Sequence, residues 1–255
     1  YKANLFGLIQ KVLTDLSLEE DAVQLLADAT EVFELNDIAD ELKETMQVIF
    51  QRMVVYKQKS KAQKIPDGFL KSVFSFFGRF VLSHGSVALF NLCDSIKEGI
   101  LFNLFEKEAI FIGAIGKHEI YRKHIIAGFA QMMTEYQPLI NTNSMVVLTQ
   151  ALIMIICPFS KSRVTRDDVD DGGAVEYEED AASFERTSFQ PLHSLQKASD
   201  SRLPKVDDYR LYVLQCIQAV KSNENEEFLN RVAQALNSQT KDFFADLLKE
   251  YGIDL

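Results

Sequence analysis

The sequence has no tryptophan, only three cysteines, and just five prolines and eleven glycines in 255 residues. Cys93, Cys157 and Cys216 lie far apart among apolar neighbours, with no CxxC pair, which argues against a disulfide framework or a thiolate metal site. Reduced core thiols are expected. No Asn-x-Ser/Thr sequon marks a glycosylated secreted chain, so an intracellular, disulfide-free protein is the expectation. Scarce Gly and Pro, beside recurrent Leu, Ala, Glu and Phe, favour helices. Nowhere do four to eight residues alternate between apolar and polar with the Val, Ile and Thr enrichment of a half-buried strand.

Positive charge is also short. The formal net charge is −10, against nucleic-acid binding, which rests on clustered Lys and Arg. A basic protein partner suits that charge better. The most apolar stretch, Met145 to Phe159, is interrupted by Thr149 and Gln150 and falls short of the roughly 20 residues of a membrane span. A buried helix, not membrane insertion, is expected there. The chain opens at Tyr1 without an initiator Met or a charged-then-apolar signal, which suits either a processed chain or an excised fragment, and a fragment is the expectation.

What is present is helical periodicity. Ile38, Leu42, Met46, Ile49 and Met53 fall on one face of a helix over Asp37 to Tyr56. Pro66 breaks the chain, Asp67 is placed to cap the next helix, and its stripe is Leu70, Val73, Phe74, Phe77 and Val81. His84-Gly85-Ser86 then makes an αα-hairpin turn, with Ser86 as the expected cap of a helix from Val87. Tyr121, Ile125, Phe129, Met132 and Met133 form a further stripe, and Asn141 to Ser144 offer caps for Met145 to Cys157. Leu211 to Val220, Glu226 to Leu236 and Lys241 to Tyr251 complete the series. Helix pairs recurring every 40 to 47 residues or so have the period of HEAT-type solenoids. The Phe clusters Phe74, Phe76, Phe77, Phe80 and Phe102, Phe105, Phe111 read as core.

Catalytic chemistry is not announced. His118 and His124, six residues apart, do not share a helix face, and His84 and His193 stand alone. Gly113 to Lys117 resembles a phosphate loop only in part: Phe111 holds the place of its first Gly, and His118 that of the magnesium-binding Ser or Thr. A helix connector explains it. No catalytic, cofactor-binding or metal-ligating residue is assigned, and no enzyme is expected.

One stretch breaks the rhythm. A charged insertion at about 160–182 opens with Lys161, Arg163 and Arg166 and turns acidic at Asp167, Asp168, Asp170, Asp171, Glu176, Glu178, Glu179 and Asp180. The spacing is not that of an EF-hand loop, and Gly172-Gly173 divides it. Two readings stand: a solvated linker, or a dock for a basic protein partner. These eight acids are the candidate docking residues.

In order along the chain, Phe69 to Phe77 leading through His84-Gly85-Ser86 to Leu89, then Tyr121-Arg122-Lys123-His124-Ile125-Ile126-Ala127-Gly128, the long apolar helix, the acidic insertion and Ser188-Phe189-Gln190-Pro191-Leu192 resemble the carboxy-terminal region of the CAS exportins, within the importin-β superfamily. The likeness runs from about Asp67 to Val220, with weaker helical flanks; Pro191 and the basic lead-in depart from the family's pattern. It implies an all-α fold, a right-handed stack of antiparallel HEAT pairs throughout 1–255. It further implies a carboxy-terminal fragment of a nuclear export receptor without enzymatic activity. Such a receptor binds importin-α as cargo together with GTP-bound Ran, the latter mostly through upstream repeats, meets nuclear pore proteins, and shuttles between nucleus and cytoplasm. The alternative is a Ran-independent α-solenoid scaffold for trafficking or assembly.

Overall fold

The computed structural model describes residues 1–15, 17–59, 64–110, 119–140, 142–156, 203, 208–222 and 226–253. Among them every regular element is a helix: α1 Lys2–Val12, α2 Glu19–Val32, α3 Ala39–Lys59, α4 Asp67–His84, α5 Ser86–Asp94, α6 Ile100–Glu108, α7 Glu119–Glu135, α8 Asn143–Ile156, α9 Tyr209–Ser222, α10 Glu226–Ala235 and α11 Ser238–Tyr251. None is long and apolar enough to cross a membrane.

The contacts sort these helices into two layers of parallel members. In one, Lys2 Nζ reaches Asp37 Oδ2 at 2.8 Å and Gln10 Nε2 reaches Thr45 Oγ1 at 3.1 Å, so α1 runs alongside α3 at a constant offset of 35 residues. Lys57 of α3 pairs with Glu108 at the end of α6, and Ser144 Oγ, in the first turn of α8, donates to the Phe102 carbonyl of α6 at 3.1 Å. In the other layer, Glu20 near the start of α2 abuts Gly68 at the start of α4, while His84 Nε2 donates to the Thr30 carbonyl at 2.7 Å where both helices end. Offsets of 48 to 54 residues link α2 to α4, and 42 link α6 to α8. The offsets between stacked helices, 35, 42 and 48 to 54 residues, scatter on both sides of the 40 to 47 expected from the sequence, because the connecting segments differ in length.

The predicted stripes face inward. Ile38, Leu42, Met46 and Ile49 of the first are fully buried, as are Val73, Phe74, Phe77 and Val81 of the second. The latter helix goes further than a stripe: Phe69, Phe76 and Phe80 are buried as well. A helix apolar on most of its circumference must have neighbours on most sides, and α4 packs against α2, α5 and α7. Phe74, Phe105 and Phe129, from α4, α6 and α7, form a triangle with centroids 5.7 to 6.2 Å apart, which joins the two layers. Phe102 is only partly buried, and Phe111 lies outside the described residues.

Two caps differ from expectation. Pro66 occupies the cap position of α4 and Asp67 is its first helical residue, where its charge favours the helix dipole without a capping bond. Gly85, at φ +83°, is both the end of α4 and the cap position of α5; a side chain at that φ is strained. Ser86 is buried inside α5, and its hydroxyl donates to Glu135 Oε2 at 3.3 Å instead of capping its own helix. Among the caps offered for α8, Thr142 serves: its Oγ1 accepts from Met145 N at 3.2 Å. Cys93 and Cys216 are buried free thiols, as expected, and burial raises both pKa values, Cys216 to about 11. Cys157 lies outside the described residues.

Candidate docking site and its frame

All eight predicted docking acids, Asp167 to Asp180, lie outside the described residues, as do His118, His193 and the Gly113 to Lys117 segment. What the structure gives is the frame on either side. The insertion leaves from α8, whose last turn is held by Arg122: the guanidinium donates to the Ile155 carbonyl, a cation on the negative end of a helix dipole. Ahead of α9, Asp208 is fixed twice. Its Oδ1 accepts from Arg210 N at 2.7 Å, capping α9, and its Oδ2 accepts from the Tyr251 hydroxyl of α11. The Tyr251 bond, helped by the Arg210 amide, holds the Asp208 carboxyl below its ordinary pKa, and the same bond raises the Tyr251 phenol. Tyr212, one turn into α9, is pushed up to about 12 by burial, then by Cys216 and Glu135.

Two buried charged side chains in the described core, Arg79 and Glu19, fasten helices to one another. Arg79, 3% exposed, places Nη2 at 2.6 Å from Asp28 Oδ1 and Nε at 2.7 Å from Glu31 Oε1, fastening α4 to α2. Burial opposes its charge, and the two carboxylates more than offset that. Glu19 accepts from Arg52 Nη2 at 3.2 Å and from the Tyr56 hydroxyl, fastening α2 to α3; burial, then Glu19, push the Tyr56 phenol up to about 12. A single Arg in a Phe-rich helix signals a buried ion pair, yet its partners, 48 and 51 residues away, could not be read from sequence. Among the described residues no group of three or more His, Cys, Asp or Glu is placed to hold a metal ion.

These features describe a helical scaffold, with the charged insertion lying between α8 and α9 in the sequence. A family model described as CAS/CSE protein, C-terminus, matches residues 2–247. The chain belongs to the CAS/CSE family. The CAS/CSE match includes α1 to α3 and most of α11, beyond the Asp67 to Val220 stretch that carries the sequence resemblance. Among solved structures, the chain is similar to the exportin Cse1 in its cargo-free, cytoplasmic state, with a TM-score of 0.60 and 19% identity over 95% of this chain. At that identity the likeness establishes a shared fold, the helical-repeat solenoid. The chain spans 24% of that exportin's length. No curated protein sequence matches it.

Proposed function

We propose that this CAS/CSE chain is the carboxy-terminal part of a nuclear export receptor that carries importin-α, in complex with GTP-bound Ran, from nucleus to cytoplasm. The observation that carries the reading is the family match across residues 2–247. The fold is compatible with it: a stack of helix pairs offers an extended surface and contacts only neighbouring repeats. The receptor acts as a binding protein, not as the GTPase. Ran contacts lie mostly in repeats upstream of this chain, so the chain alone binds cargo weakly. Nuclear pore proteins are met in transit.

The net charge of −10 suits a basic cargo, and Asp167, Asp168, Asp170, Asp171, Glu176, Glu178, Glu179 and Asp180 supply the densest negative charge to attract it. Neutralising these eight to Asn or Gln tests the dock. The expected outcome is a slower association with importin-α and a shallower dependence of affinity on salt; an unchanged on-rate and salt slope rules the dock out. The export reading itself is tested by importin-α binding to the full-length receptor with GTP-loaded Ran. A complex that needs both supports it, and binding indifferent to Ran points to a plain scaffold.

A further inference from the structure

The two layers are joined to their neighbours in opposite ways. Where α4 crosses α7, the backbones touch: a Cβ on Gly78 would lie 2.4 Å from the His124 carbonyl oxygen, and a Cβ on Gly128 would lie 2.4 Å from Gly78 Cα. Both obstacles are main chain and cannot swing aside. No side-chain layer separates the helices at that point, so they cannot shear past one another; relative movement is confined to rotation about the crossing. On the other layer, an ion pair between Lys57 and buried Glu108 links the ends of α3 and α6, with the Lys57 side chain 37% exposed.

We infer that the Gly78–Gly128 crossing is the axis of a hinge between successive repeats, and that Lys57–Glu108 is the latch closing its far side. Helix layers pack roughly 10 Å apart, so a rotation of about 10° at the crossing displaces groups in the other layer by about 2 Å. That suffices to part an ion pair while leaving the axis contact intact. The Arg79 clamp onto Asp28 and Glu31 keeps α2 moving with α4, so rotation is expressed between the α2–α4 block and α7 with its partner α6. This inference concerns mechanics alone and does not depend on which partner the chain binds.

Spin-label distances in the full chain test it. One pair, at exposed Gln51 of α3 and Asn103 of α6, reports the latch side; the other, at exposed Val32 of α2 and half-exposed Gln131 of α7, reports the axis side. Releasing the latch by Lys57→Met, or independently by Glu108→Gln, is expected to broaden the Gln51–Asn103 distribution or move it by about 2 Å. The Val32–Gln131 distribution is expected to stay put. Lys57→Met alters a partly exposed side chain and preserves the test should the buried Glu108 variant not fold. No change on the latch side, or equal change on both sides, overturns the hinge.

Discussion

Arg79 is the residue on which the α2–α4 contact turns, because it is buried and its two carboxylate partners are mostly buried with it. Arg79→Met removes the cation and strands Asp28 and Glu31, so a loss of about 3–5 kcal/mol in unfolding free energy is expected from urea denaturation. Lys2→Met breaks an exposed pair with Asp37 and is expected to cost under about 1 kcal/mol in the same assay. Tyr56 and Tyr212 give a pH signature. Both phenols titrate near 12 when folded and near the ordinary 10 when unfolded, so their contribution is complete below about pH 10 and is lost as pH rises through about 12. Denaturation midpoints across pH 9 to 12, read beside phenolate absorbance, check that sign. Asp208 behaves in the opposite sense: its depressed pKa means stability lost as pH falls below the usual carboxylate range. Tyr251→Phe removes the leading cause, and NMR titration is expected to find the Asp208 carboxyl moved up.

At the scale of elements, glycine positions separate packing from propensity. Gly128→Ala drives a methyl into the backbone of α4 and is expected to destabilise by about 1–3 kcal/mol or more. Gly7→Ala, in α1 with open space around the new methyl, is expected to stabilise by about 0.5–1 kcal/mol through helix propensity. Paired melting curves check both. The stripes of α3, α4 and α7 were legible because burial imposes a 3.6-residue period on the sequence. Asp67 and Ser86 misled as caps because a cap is defined by backbone conformation, which Pro66 and Gly85 supply without a side-chain bond. Helices α1, α2 and α6 carry less legible stripes, being short or rich in acids. The Gly78–Gly128 contact had no readable signal, since one glycine in each helix becomes informative only when the helices are brought together.

For the whole molecule, the two-layer arrangement was legible as a period, and the resemblance supplied what the period left open. The acids proposed as a dock stand out by composition alone, because a run of like charges imposes no packing pattern from which contacts can be read. Cooperation between importin-α and Ran is what distinguishes the proposed export receptor from a plain scaffold. Importin-α affinity for the full-length receptor is best measured with Ran absent, GDP-loaded and GTP-loaded, at low and physiological salt, alongside this chain by itself. Tight binding to the receptor is expected with GTP-loaded Ran only. Linkage further requires that importin-α raise Ran affinity by the same factor, and the chain alone should bind weakly and lose that binding as salt rises. Importin-α affinity for the receptor that is the same in all three Ran states, or absent from all of them, would contradict it.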